Sequence, residues 1–236
     1  MAKHLLSKSS FIRGLQCTKS LYLHKFHSKL KDPLPEERRL RFEAGHETGF
    51  RARDLFPGGV DASPSQFGKT KESLEYTASL IENRTSVIYE PSFLYNDVLI
   101  YLDILVLGPT GWIANEVKSS VLISKTYQED AALQFYVIKN SGLPLIDFTM
   151  IHLIRPLNET NLADSPEKIF QSTSLFDFCN DRLQFVEDTI QKFRTILAYP
   201  KTPVIEMGDQ CNEPYPCNFK GFCSKQKAAM QDGLFS

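Results

Sequence analysis

The sequence predicts an α/β fold, a mixed central β-sheet flanked by helices. Three observations carry that prediction. Strand-like apolar runs near 86–94, 98–107 and 112–118 follow one another with turn residues between them. Helical periodicity brackets this meander on both sides. A fourth apolar strand, 146–154, lies between two more helices. At 236 residues, 42% hydrophobic and 23% charged, the chain has the composition of an ordinary globular protein and the length for one large core. A single domain over 1–236 is expected.

In chain order, Ser9 or Ser10 caps a helix that runs to about Phe26, with Phe11, Ile12, Leu15 and Leu23 toward a core. Lys31 to Pro35 is a linker. Pro35-Glu36-Glu37 starts a second helix, which ends near Leu55 before Pro57-Gly58-Gly59. Residues 69–83 place Leu74, Ala78 and Ile81 on one helical face. The corner Tyr95-Asn96-Asp97 makes the first two strands a hairpin. Helices are expected over 126–141 and 175–199, the latter with Leu175, Phe178, Leu183, Val186, Ile190 and Leu197 inward. Cys179 in that last helix reads as a core thiol.

No stretch approaches ~18 apolar residues, and the first residues lack the pattern of a secretory signal, so a cytoplasmic protein without a membrane span is expected. Net charge is −1, unevenly placed: residues 1–53 hold 12 Lys/Arg against 5 Asp/Glu. A basic N-terminal part can face phosphates, or can be a solvated helix face.

The chemistry concentrates in Tyr101 to Leu107, the turn Gly108-Pro109-Thr110-Gly111, and Trp112 to Lys118. The first strand is apolar on both faces around Asp103, with Leu99, Tyr101 and Leu105 sharing the aspartate's face. A buried carboxylate needs a cation, a hydrogen-bond network or a proton. Glu116 and Lys118 are two residues apart and share a strand face. Asp103, Glu116 and the carbonyl of Val117 offer hard oxygens suited to Mg²⁺, with Lys118 placed to hold a water. A buried salt bridge among Asp103, Glu116 and Lys118 is the alternative.

Five cysteines without a signal peptide argue against a disulfide framework. Cys211, Cys217 and Cys223 are spaced C-x5-C-x5-C among Pro and Gly, and Cys17 is the available fourth ligand. Four thiolates hold either an iron–sulphur cluster or a structural zinc, and the open spacing leans toward the bulkier cluster. Three surface thiols near a frayed end is the plainer reading.

In these motifs the chain resembles the PD-(D/E)XK nuclease superfamily, and within it the RecB-like exonucleases that carry a four-cysteine iron–sulphur cluster. The resemblance spans roughly residues 9–223. It implies a restriction-endonuclease-like core and a small lobe, from 1–30 and 205–225, in which a [4Fe–4S] cluster on Cys17, Cys211, Cys217 and Cys223 joins the chain ends. It implies that His46, in Gly45-His46-Glu47, joins Asp103, Glu116 and Val117 around Mg²⁺ or Mn²⁺, and that Lys118 completes the catalytic set with Asp103 and Glu116. Gln134 matches the family's glutamine that meets DNA, although the tyrosine expected four residues later falls at Tyr136. Glu90 reads as a solvated strand-end acid, or as a further acid near the site. The implied function is a metal-dependent DNA nuclease, an exonuclease on ends or single strands, in repair, recombination or CRISPR-type defence. No helicase motor or phosphate loop is present in the sequence, so unwinding falls to a helicase or other partner. The rival functions are a catalytically silent nucleic-acid-binding module and an iron–sulphur redox sensor. Strand polarity, end preference and oligomeric state are not written in these motifs.

Overall fold

The computed structural model describes residues 5–65, 69–161 and 163–231, with the side chains of Arg38, Arg41, Phe42, Met230 and Gln231 outside the description. The opening Met1 to His4, part of the stretch searched for a signal, falls outside the described residues.

The chain begins with β1 (Leu6–Ser7), α1 (Lys8–Gln16), α2 (Thr18–Phe26) and α3 (Glu36–Ala52). Ser7 caps α1 in a reciprocal box with Ser10. The single helix expected to Phe26 is two, broken at Cys17. Its extended backbone ends α1, its N–H bonding Arg13, and starts α2, its carbonyl accepting from Leu21. Next come β2 (Val60–Asp61) and α4 (Thr70–Glu82).

The meander follows as β3 (Val87–Tyr89), β4 (Ser92–Tyr95), β5 (Val98–Tyr101), β6 (Ile104–Leu107) and β7 (Trp112–Lys118). Both long strands expected here are split, and the splits face each other. The Glu90 N–H donates to the Asp103 carbonyl, and the Leu102 N–H to the Pro91 carbonyl. Glu90 has a φ of 52°, in the left-handed region, and Pro91 has no N–H to continue a ladder. One bent ladder therefore feeds two sheets. Asn96 and Asp97, with φ of 50° and 51°, close the β4–β5 hairpin in the manner of a type I′ turn.

The remaining elements are α5 (Lys125–Asn140), β8 (Leu145–Leu153), α6 (Pro166–Ile169), β9 (Phe170–Ser174), α7 (Phe176–Asp181), α8 (Leu183–Ala198) and α9 (Lys220–Gln231). The long helix expected over 175–199 is α7 and α8, interrupted at Arg182. Among the described residues the sheets run β1-β5-β4 and β2-β3-β6-β7-β8-β9. β7 is antiparallel to β6 and parallel to β8, so the larger sheet is mixed.

β7 is buried on both faces, as a central strand should be. Trp112 and Ala114 face the main core, where α5 brings Phe135 and Ile138, and α1 and α8 bring Phe11 and Phe193. The odd residue Val117 faces a smaller core with Ala52 of α3, Ile104, Ile151 and Phe170. Cys179 is fully buried in the main core, as its sequence context predicts. Among the described residues no helix is long and apolar enough to cross a membrane.

Candidate active site

Glu116 and Lys118 lie on the α5 side of β7, the side of Trp112 and Ala114. Asp103 lies in the gap between β5 and β6, off the strand in which the sequence placed it. Beyond Ile104 and Asn115, β7 has lost its β6 partner, and the freed Val117 N–H donates to Asp103 Oδ2 at 2.6 Å. A strand residue's N–H and C=O leave on the same side, so the Val117 carbonyl shares that edge. Asp103, Glu116, Val117 and Lys118 thus meet where the sheet divides.

Glu116 is 2% exposed and is held by two lysines. Lys118 Nζ donates to Oε1 at 2.6 Å, and Lys8 Nζ, from α1, donates to Oε1 and Oε2 at 3.1 and 3.2 Å. Burial works against its charge, yet Lys118 and Lys8 hold the Glu116 carboxyl down to about 2. Asp103 is pushed the other way, to about 7, by burial first and then by Glu116, against the pull of Lys8 and Lys118. Lys118 also donates to Asp130 Oδ2 at 2.8 Å. Burial disfavours its charge, but Asp130 and Glu116 raise it well above the usual lysine range. It is a permanent donor at neutral pH.

Lys8 and Asp130 were not singled out in the sequence. Lys8 is 108 positions from its partner, a separation that no local pattern bridges. Asp130 left a signal: it is four residues before Gln134, and i, i+4 residues share a helix face. Gln134 is fully buried, its amide nitrogen lies against the Glu116 carboxylate and helps hold it charged, and its amide oxygen has no hydrogen-bond partner. Asp130 Oδ1 is likewise buried and unpartnered. Glu90 belongs to this neighbourhood. It is within electrostatic reach of Asp103, Glu116 and Lys8, and Arg53 Nη2 lies 3.3 Å from its Oε1. Burial raises its carboxyl against the opposing Arg53 charge.

His46 is on α3 with its ring exposed. α3 packs through Ala52 on the Val117 side of the sheet, opposite Glu116 and Lys118. Tyr136 lies off the cluster: its hydroxyl accepts from Asn96 Nδ2, and its ring packs against Tyr95.

The four cysteines Cys17, Cys211, Cys217 and Cys223 line one cavity, together with Ser20, Met207 and Phe219. The helix break at Cys17 takes that residue out of the helical run between α1 and α2. Polar contacts tie the chain ends around the cavity. Gln16 donates to the Gln210 and Tyr215 carbonyls, Lys19 to Gln226, and the Gly221 N–H to Asp32. Burial raises the Cys17 and Cys223 thiols, with further upward pushes from neighbouring cysteines. Among the described residues no three His, Cys, Asp or Glu side chains close into a shell for one metal ion. That holds for the cysteine cavity and for the Asp103–Glu116 cluster. A tetrahedral zinc would draw thiolates to ~2.3 Å from one centre, whereas a cluster core stands between its sulfurs and keeps them further apart.

The sequence matches no protein-family model and no curated protein.

Proposed function

We propose that this chain is a Mg²⁺- or Mn²⁺-dependent deoxyribonuclease that hydrolyses phosphodiester bonds in single-stranded DNA or at DNA ends. One observation carries the reading. Two carboxylates, Asp103 and Glu116, meet a lysine pair at the division of the sheet, beside two buried acceptors, the Gln134 amide oxygen and Asp130 Oδ1, that have no hydrogen-bond partner. Buried polar groups without partners are rare, and a ligand or water at this point satisfies them. The donors are hard oxygens, which suit a divalent cation of the Mg²⁺ class.

Asp103, Glu116 and the Val117 carbonyl would hold the cation, and the resemblance adds His46, which would have to reach them from the Val117 side of the sheet, where its ring is exposed. A bound cation supplies Lewis-acid stabilisation of phosphate charge and a water of lowered pKa. Lys118 keeps its proton and donates, orienting that water or a phosphate oxygen. Asp130 fixes the Lys118 ammonium at 2.8 Å, so the donor is aimed before substrate arrives. Gln134 offers an amide on the same side for a substrate oxygen. In hydrolysis the water oxygen bonds phosphorus and gives up one proton to solvent as the P–O bond to the leaving sugar breaks, and the leaving oxygen takes up a proton from solvent in return.

At the chain ends, Cys17, Cys211, Cys217 and Cys223 are proposed to hold a [4Fe–4S] cluster. Soft thiolates around one cavity fit such a group, and its role would be to fasten the α1–α2 junction to residues 205–225.

The test is cleavage of end-labelled DNA by the purified chain. Cutting with Mg²⁺ or Mn²⁺ should stop on adding EDTA. Lys118→Ala should lose roughly 10²-fold or more in rate, the usual scale for a preorganised donor that stabilises developing charge. Undiminished cutting by Asp103→Ala sinks the proposal. A second reading has an observation of its own: Lys8 and Lys118 already neutralise Glu116 without a metal. A chain that binds DNA with the same affinity in EDTA and never cuts it is the silent accessory module.

A further inference from the structure

We infer that Lys8 is a second lysine of the hydrolytic site: it occupies Glu116 in the metal-free chain, gives way when a divalent cation binds there, and then pairs with a phosphate of the DNA. The inference rests on the hydrolytic reading of Asp103, Glu116 and Lys118 and deepens it by naming a further residue that meets the substrate.

Glu116 is crowded with donors. Its Oε1 accepts from Lys118 Nζ at 2.6 Å and from Lys8 Nζ at 3.1 Å, and its Oε2 accepts from Lys8 Nζ at 3.2 Å. A carboxylate oxygen has two lone pairs, so the lysines fill Oε1. A cation that takes Glu116 as a ligand meets an ammonium on either oxygen, at a range where like charges repel. One lysine has to leave.

The two are not held alike. Lys118 is held from two sides, by Glu116 and by Asp130 Oδ2 at 2.8 Å, and its ammonium stands 5.3 Å from the centroid of the Tyr127 ring. Lys8 makes the longer bonds, and among the described residues its ammonium has Glu116 as its one hydrogen-bonded partner. Its side chain is 27% exposed, against 17% for Lys118. Lys8 also stands at the first position of α1, with no acidic residue in that turn. The positive end of a helix disfavours a cation and favours an anion. The Glu116 carboxylate is what holds the ammonium there, so a ligand that neutralises Glu116 releases it.

The release is a side-chain motion. Ser7 caps α1 just before Lys8. Phe11 packs edge-on against Phe193, with ring centroids 5.6 Å apart, and a Cβ on Gly14 would stand 2.5 Å from the same Phe193 ring. Gln16 fastens the far end of α1 to the Gln210 and Tyr215 carbonyls. The helix is therefore a fixed pivot on which the four-carbon stem of Lys8 turns. A freed ammonium needs a new anion, and lysine serves phosphate as a mobile point charge.

The experiment uses the full chain and has two arms. The first titrates Mn²⁺ into DNA-free protein and reads free Mn²⁺ by electron paramagnetic resonance. Lys8→Met keeps a stem of similar length and removes the charge. It should bind Mn²⁺ roughly 5-fold tighter or more, the lower end of the coupling between two ligands of one protein. Lys8→Arg, which restores the charge, should bind Mn²⁺ like wild type. The second arm measures affinity for a single-stranded oligonucleotide across a salt series, once in EDTA and once with Ca²⁺ in place of Mg²⁺ to separate binding from cutting. With Ca²⁺, the log–log salt slope of Lys8→Met should be about 0.7 shallower than that of wild type, the worth of one phosphate contact on a single strand. In EDTA the two slopes should agree, because Lys8 is then on Glu116. Lost packing alone does not produce tighter metal binding together with a slope change confined to Ca²⁺. Equal or weaker Mn²⁺ binding by Lys8→Met overturns the inference, and so does a slope difference of the same size in EDTA and Ca²⁺. If Lys8→Met does not fold, Lys8→Gln is read the same way. Wild-type protein that cuts DNA, beside a Lys8→Met chain with unchanged Mn²⁺ affinity and slope, removes the role of Lys8 and leaves the hydrolytic reading intact. Wild-type protein that neither binds Mn²⁺ nor cuts DNA removes both.

Discussion

Lifted to about 7 by burial and by Glu116, Asp103 holds its proton in the folded chain across a range where the unfolded chain has lost it. Between about pH 4 and 7 the native state binds more protons, so stability falls as pH rises. The contribution of the Asp103 proton is complete below the usual aspartate value and is gone once pH has passed about 7. Above that point the metal-free protein carries a buried carboxylate with too little positive charge around it. Lys8 and Lys118 are spent on Glu116 and Asp130. Asp103→Asn keeps an acceptor for the Val117 N–H and removes the charge. Without metal, the variant should therefore melt higher than wild type at pH 8 and equal to it near pH 4. The expected gain is about 2–4 °C for each kcal/mol regained in a chain of this size. Divalent cation should raise the wild-type melting temperature at pH 8 and leave the variant unmoved, since ligands bind metal deprotonated. A variant that melts lower than wild type at pH 8 shows that Asp103 is already compensated by the protein.

The β6–β7 turn decides whether Asp103 and Glu116 meet, and Gly111 is its tightest point. A Cβ there would press on the Pro144 carbonyl oxygen and come within 2.7 Å of Ile146 Cγ2. The Trp112 N–H needs that same carbonyl at 2.8 Å, so the start of β7 cannot step away. Gly111→Ala should cost about 1–3 kcal/mol, the range for overpacking a filled site, read as a lower urea midpoint. Gly49→Ala, in α3 with nothing within 4 Å of the new methyl, should stabilise by up to about 1 kcal/mol. Equal effects at the two glycines would contradict the packing drawn for the turn. The same elements show what a sequence can carry. β7 was legible in full, since Gly-Pro-Thr-Gly marks its start and apolar residues line both its faces. The bend through Glu90-Pro91 and Leu102-Asp103 was not, because the apolar run from Val98 to Leu107 continues across the bend as it would along a straight strand. That omission matters, since the bend is what puts Asp103 off the sheet and against Val117. β9 left no pattern either: Gln171 to Ser174 are all exposed on an edge, where no alternation is required. Of the candidate site, Asp103, Glu116 and Lys118 were visible as spacing, and Lys8 was invisible because its contact is purely tertiary. The break at Cys17 hid for a third reason, as helical periodicity runs unbroken through it while the backbone turns out.

At the scale of the whole chain, the cysteine cavity joins segments nearly two hundred residues apart, as the Gln16–Gln210 contact across 194 positions shows. Holding the ends of so long a loop opposes chain entropy, and a covalent tie across it is worth at most about 5 kcal/mol by loop-closure arithmetic. Thiols raised by burial and by one another, like Cys17 and Cys223, gain most from a cationic core that lets them ionise. Protein purified without oxygen should then be brown and contain iron and sulphide. Cys217→Ser should bleach it and lower the melting temperature. Stability alone cannot decide the matter, because Cys179→Ser also costs stability by placing a hydroxyl in the main core, where burial pushes the native thiol up to about 12. Iron content separates the two. Cys179 is absent from the cavity lining, so Cys179→Ser should keep the wild-type iron and colour while melting lower. Cys217→Ser should lose both iron and stability, and its chain ends should exchange amide hydrogen faster around Gln16 and Asp32 than in wild type. Iron that survives Cys217→Ser unchanged, or one zinc per chain in place of iron, overturns the cluster. In the zinc case the tie between the chain ends survives, and the four sulfurs must draw closer around one ion.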